Sequence, residues 1–339
     1  MDLQLTDDQR ALKRGVRELL TARFGPDELR AAAGAGSPDL DRALWRELGE
    51  AGFFALRLPE SDGGVGLGLP EAVLAFEEAG RVLLPGPLIA THLAAGAVDG
   101  AATGEAVVTA VDGVLVEWLD QADAVRGDAT GAEPLRSVDP LTPVHRVPAA
   151  VPPGAGSAGS DPVAVSPGAD PEAVLLTSLL TAAEQLGTAA RTCELAVQHA
   201  RTREQFGQPI GAFQAVKHLC AQLLVRVEVA RAAVYAAAVT ADPVDVAAAR
   251  LLADEAAVRG ARDCLQVHGG MGFTWESGVH LFLKRAWLRT QRAGGVTESE
   301  EMLADDLLAG AGCKASVQAW SGKGSRECRG SWHTGITER

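Results

Sequence analysis

The chain alternates between stretches of helical period and short breaks rich in Gly and Pro. Thr6-Asp7-Asp8-Gln9 has the form of a capping box, and Leu12, Val16, Leu19 and Leu20 follow at helical spacing. The same period places a second helix over about 40–51, with Leu44, Trp45 and Leu48. A third follows Pro70, with Val73, Leu74 and Phe76, and ends near Gly80-Arg81. Pro59, Gly63, Gly64 and Gly66 mark a loop between these two, and Pro85-Gly86-Pro87 breaks the chain again. From about Gly104 the period shortens. Residues 107–111 and 114–118 are β-type runs around Asp112-Gly113, a hairpin signal, and 143–147 reads as a further strand. The Pro, Gly and Ser run over 152–162 reads as a linker. From Pro171 helical patterns return and run to about Thr202. The next starts at Ala212 and carries Phe213, Val216, Leu219, Leu223, Val227, Ala230 and Val234; another spans Pro243 to about Val267. Shorter ones cover about 278–291 and 298–308. Long helices with short joints predict antiparallel packing in a bundle.

The pattern therefore predicts a mainly α fold with a small β domain. Its expected parts are an N-terminal helical domain over 1–103, a short β domain and linker over 104–170, and a long-helix, four-helix-bundle-like domain over 171–310. The tail over 311–339 has no period and is expected to pack loosely; it carries five basic residues against two acidic ones. Composition agrees with helix, since Ala and Leu dominate and aromatics make up only 4% of the 339 residues. The formal net charge of −13 argues against nucleic acid or an anionic membrane as main partner. It leaves room for an anionic ligand held by a few local Arg or Lys. The most apolar stretch, 82–98, is interrupted by Pro85, Pro87 and His92, so no membrane span is expected. The acidic start has no signal-peptide pattern. The five cysteines are dispersed, without metal-ligand or redox spacing, which fits a reducing cytoplasm. Cys193, Cys220 and Cys264 fall in apolar helical patterns and read as free thiols. His145, His199 and His218 lack the i, i+4 partners of a metal site, and no metal is expected.

Two segments carry the candidate chemistry: Arg203-Glu204-Gln205-Phe206-Gly207-Gln208-Pro209-Ile210-Gly211-Ala212-Phe213-Gln214, and Gln266-Val267-His268-Gly269-Gly270-Met271-Gly272-Phe273. Each lies in the break between long helices. Together they resemble the flavin-binding segments of the acyl-CoA dehydrogenases, as does the order helical domain, β domain, bundle up to about residue 310. Leu58-Pro59-Glu60 with Gly63-Gly64-x-Gly66, and Glu77-Glu78-x-Gly80-Arg81 with Pro85, match that family's first domain. The resemblance implies an FAD-dependent oxidoreductase of lipid metabolism acting on an acyl-CoA thioester. It also implies an oligomer, because in the family these segments serve a flavin held mainly by a neighbouring subunit. The residue types suit the task. Arg203 can clamp a pyrophosphate in a fork, Gln266 can donate and accept at a polar edge, and Gly269 and Gly270 let backbone N–H groups approach closely. Gln205, Phe206 and Gln214 complete the expected cofactor set. Phe206 and Phe213 also read as packing residues, Gly269-Gly270 as a helix cap, and His268 as structural.

The chain departs from the family where the proton is removed. Most members place a catalytic Glu before a Gly-Thr pair after the second segment; here Gly294 occupies that place. A minority supply it from the helix preceding the first segment, where this chain has Thr177, which is no base near neutral pH. Glu298, Glu300 and Glu301 lie nearby in an expected first helical turn, where acids are common. The β domain is short, and the family's Thr-Glu-Pro-x-Ala-Gly-Ser-Asp segment is missing from its start. The resemblance thus implies the Glu-lacking subunit of a heteromeric bacterial enzyme, of the kind acting on steroid- or lipid-derived CoA thioesters. Its FAD would be shared with a full-length partner subunit. The alternatives are a self-sufficient homomeric dehydrogenase with Glu298 as displaced base, and a structural protein without flavin.

Overall fold

The computed structural model describes residues 4–36, 38–148, 170–292 and 295–310. The expected linker over 152–162, Gly294 and the tail over 311–339 lie outside them. Helix α1 (Asp7–Arg23) opens on the expected capping box: the Gln9 N–H donates to Thr6 Oγ1 at 3.2 Å, and the Thr6 N–H donates to Gln9 Oε1 at 3.0 Å. Next come α2 (Pro26–Gly34), α3 (Arg42–Glu50), α4 (Leu69–Val82) and α5 (Leu88–Ala94). Asp41 caps α3 by accepting the N–H groups of Ala43 and Leu44.

Strands β1 (Val108–Asp112), β2 (Leu115–Glu117), β3 (Ala124–Arg126), β4 (Glu133–Leu135) and β5 (Val144–Arg146) form one sheet in the order β3-β1-β2-β5-β4. The hairpin pairs Asp112 with Leu115 and turns at Gly113, whose φ of 62° is costly for residues with a Cβ. β1 and β3 are parallel; the other pairings are antiparallel. The remaining chain holds the long helices α6 (Pro171–Thr202), α7 (Gln214–Thr240) and α8 (Pro243–His268), then α9 (Val279–Arg289) and α10 (Val296–Ala309).

Helices α2 and α5 and strands β3 and β4 are additions to the expected elements. α2 has a single large buried apolar residue, Leu29, and so shows no period. α5 is buried on nearly every side, which erases its polar face. Strands β3 and β4 are three residues each and mostly exposed, too short for alternation to register.

α6 is the central helix, packed by α4, α7, α8 and α9. By length and composition it is the one described helix able to cross a membrane, but 78% of its most apolar stretch is buried inside the protein. The crossing with α4 is close. A Cβ on Gly187 would lie 1.9 Å from the Glu77 carbonyl oxygen, and one on Gly80 would lie 2.0 Å from that of Glu184. The sheet is tied to the bundle by buried charges. Arg289 of α9 reaches Glu117 of β2 at 2.9 and 3.0 Å and Glu184 of α6 at 2.8 Å. Arg292 reaches Asp112 and Glu117 at 3.3 and 3.4 Å, and Arg285 pairs with Asp139.

Candidate functional site

The two candidate segments meet at one end of the bundle. α6 ends at Thr202, with Arg203 as its C-cap, and α8 ends at His268, with Gly269 as its C-cap. In the last turn of α6, His199 stacks on His268, with ring centroids 4.1 Å apart and planes 20° apart. The His268 Nδ1–H donates to the Cys264 carbonyl at 2.8 Å, which fixes the ring's orientation and tautomer. Burial lowers the His199 pKa, and His268 and Arg203 lower it further.

Past Thr202 the backbone turns sharply. The Arg203 N–H donates to the His199 carbonyl, and the Arg203 carbonyl accepts the Ile210 N–H, both at 2.8 Å. Between them lies a two-residue hairpin of β6 (Glu204–Gln205) and β7 (Gln208–Pro209), with its turn at Phe206 and Gly207. Both turn residues are left-handed, φ 54° and 77°, as such tight hairpins require. A bulky residue rarely holds that conformation. Phe206 is also 91% exposed and touches Phe213 only edge-on, at 6.0 Å. This corrects the packing role expected of Phe206: its ring stands in solvent, since the turn carries it away from the core.

Gln205 is exposed and its Nε2 donates to the neighbouring Glu204 carbonyl. Gln214, in the first turn of α7, donates to His218 Nε2 at 2.8 Å. Gln266 is exposed on the last turn of α8, and a Cβ on Gly269 or Gly270 would have no atom within 4 Å. Among the described residues Arg203 has no ion pair. The adjoining ends of α6 and α8 thus carry an exposed guanidinium, an exposed carboxamide and two unobstructed glycines, groups whose chemistry suits an anionic dinucleotide. His199, which the sequence names only as lacking the partners of a metal site, stands here beside the second segment. Its position four residues before Arg203, one helical turn away, was the available signal.

Of the two places where the family carries its Glu, Gly294 lies outside the described residues and the other holds Thr177. The Thr177 hydroxyl donates to the Ala173 carbonyl at 2.7 Å, as helical threonines do. Glu298 lies exposed in the first turn of α10, which begins two residues earlier than expected, with Gly295 as N-cap. Near the start of α6 is a cavity of about 290 Å³ bordered by Arg57, His92, Arg126, Ala173 and Leu176. A second, of about 340 Å³, lies between α1, α4, α6 and the segment before α9, with Arg17, Phe24, Arg81 and Phe282 on its walls. Neither cavity includes Arg203 or Gln266 among its lining residues.

Residues 6–106 match the family model described as "Acyl-CoA dehydrogenase, N-terminal domain", and residues 173–305 match "Acyl-CoA dehydrogenase, C-terminal domain". The chain is 37% identical over 304 residues to the acyl-CoA dehydrogenase IpdE2 of Mycobacterium tuberculosis, covering 83% of this chain and 91% of that protein. It is 34% identical over 324 residues to IpdE2 of Mycolicibacterium smegmatis, covering 90% of this chain and all of that protein. Among solved structures, the ChsE4-ChsE5 complex from Mycobacterium tuberculosis contains a chain that superposes with a TM-score of 0.74 at 26% identity. The match covers 91% of this chain and 99% of that one.

Proposed function

The chain belongs to the acyl-CoA dehydrogenase family, and on that premise we propose that it is a flavoprotein subunit working beside a full-length family member in a heteromeric complex. The family is FAD-dependent. The reaction proposed is α,β-dehydrogenation of an acyl-CoA thioester derived from a lipid or steroid. FAD, when bound, supplies the hydride acceptor. This chain's part is to hold and orient the dinucleotide: Arg203 on the pyrophosphate, and Gln266 with the Gly269 and Gly270 backbone on the adjoining polar edge. Gln205, Phe206 and Gln214 shape the rest of that rim. The proton at the carbon beside the thioester carbonyl goes to a carboxylate of the partner. The proposed division of the chain keeps an N-terminal helical domain over 1–103, a short β domain and linker over 104–170, and a long-helix domain over 171–310.

The observation that carries this reading is the bundle end where α6 and α8 finish: Arg203 and Gln266 are exposed there, and among the described residues no atom lies within 4 Å of a Cβ placed on Gly269 or Gly270. A half-site facing outward suits a cofactor held chiefly by another subunit. Thr177 supports the same reading, because its hydroxyl is spent on a helix carbonyl and leaves that position without a base. The solved ChsE4-ChsE5 complex adds support, as a two-chain relative at 26% identity.

The test is to purify the full chain alone and with a co-expressed full-length family member, then measure bound flavin and acyl-CoA oxidation. We expect flavin and turnover only in the complex, and unchanged turnover when Glu298→Gln is introduced there. Stoichiometric FAD and full turnover in the lone chain would overturn the proposal. Loss of turnover in the Glu298 variant would return the base to this chain.

A further inference from the structure

We infer that His199 and His268 are positioning residues, a stacked pair that sets the spacing between the Arg203 and Gln266 segments so that one dinucleotide meets both. This inference rests on the flavin reading above. Arg203 and Gln266 lie on different helices, and both lie in the last turn or just past it, where helix ends fray unless something holds them. Three contacts hold them here. The His199 carbonyl accepts the Arg203 N–H at 2.8 Å, so the residue that carries the stack also anchors the backbone of the arginine. The His199 ring lies on the His268 ring at 4.1 Å. His268 lies between Gln266 and Gly269, and its Nδ1–H is tied to the Cys264 carbonyl at 2.8 Å, so the ring is fixed to the α8 backbone. The result is a continuous path from Arg203 through two rings to the Gln266–Gly269 turn. Both rings are only half-buried, unlike Ala200, Leu265 and Val267 beside them, which are buried core residues. The pair therefore adds little to the core, and its place between the segments points to spacing as its role.

A stackable ring of similar size is what the role requires. In His199→Phe the ring remains. In His199→Ala and His268→Ala the stack is lost, and the spacing of the two helix ends is left to the packing beneath them. The two Ala substitutions interrupt the same path, so together they should cost no more than one alone.

The experiment uses the flavin-containing complex, stripped of FAD and titrated with FAD while flavin fluorescence is followed. Thermal unfolding of each variant is recorded alongside. Arg203→Ala is the control for the flavin reading. We expect His199→Ala, His268→Ala and the double variant each to weaken FAD binding by about tenfold, the size of an ordinary pairwise coupling, and His199→Phe to stay within about twofold of wild type. If Arg203→Ala weakens binding but the His variants do not, the positioning inference falls and the flavin reading stands. If the double variant loses the product of the single losses, or His199→Phe binds as poorly as His199→Ala, the stack is not the spacer and the inference falls. If Arg203→Ala leaves FAD affinity unchanged, the flavin reading falls and takes the inference with it.

Discussion

His92 shows how far the setting of one residue departs from its type. In the sequence it only interrupts an apolar stretch. In the fold it is buried in α5, and its Nδ1–H donates to the Phe54 carbonyl at 3.0 Å. Burial, and then the nearby Arg57, lower its pKa to about 4 from an ordinary 6.5. An unfolded chain takes up this proton near 6.5, and the folded protein resists until about 4. The stability this neutral ring contributes is therefore fully present above pH 6.5 and is lost as the pH falls toward 4. We expect unfolding free energy from urea titrations to decline across that window, and to decline less in His92→Asn, which keeps a donor for Phe54 without the titration. An equal slope in the variant would assign the decline to other groups. At this scale the sequence named Arg203, Gln266, Gly269 and Gly270, and the structure finds all four exposed at the ends of α6 and α8. Phe206 was half-read, because a left-handed turn that points a ring into solvent leaves no mark on the apolar pattern.

Among the elements, the sequence foresaw those whose stability is local. α1 has its capping box, α3 its Asp41 cap and α8 its Asp242 cap. These motifs act within a few residues and need no distant partner. Helix α5 and the strands β3 and β4 lack such marks and form because neighbouring surfaces cover or pair them, whereas α2 has a local start of its own, with Pro26 in its first turn and the Glu28 carboxylate accepting the Gly25 N–H at 3.0 Å. Glycine shows the same divide. Gly15 in α1 is exposed, with no atom within 4 Å of a Cβ placed on it, while Gly187 in α6 would bring a Cβ within 1.9 Å of a backbone oxygen of α4. Gly15→Ala should stabilise the protein by about 0.5–1 kcal/mol through helix propensity. Gly187→Ala should destabilise it by about 1–3 kcal/mol or more, as overpacking does. Chemical denaturation of both variants checks the pair, and a neutral Gly187→Ala would mean that the two helices separate at little cost.

Across the whole molecule, buried charge fixes the sheet on the bundle. Burial pushes the Glu117 carboxyl up, but Arg289, Arg292 and Arg285 together outweigh it and hold it at about 2. Removing one partner of such a group leaves charge buried without compensation. Glu117→Gln should therefore cost about 3–5 kcal/mol in denaturant unfolding, while Glu117→Leu and Glu184→Leu with Arg289→Met, which removes all three of these charges, should cost less than that single change. A Glu117→Gln variant as stable as wild type would show that the seam is held by apolar packing instead. None of these pairings was visible beforehand, since Asp112, Glu117, Glu184, Arg289 and Arg292 are scattered across the chain as ordinary polar residues. By itself the sequence determined the long helices, the hairpin and the two segments that mark the family, because periodicity, capping and close backbone approach are properties of a few consecutive residues. Only the tertiary structure decided that the ends of α6 and α8 come together with His199 stacked on His268, and which carboxylate each buried arginine meets. Those relations depend on which surfaces pack, and packing is a property of the whole chain.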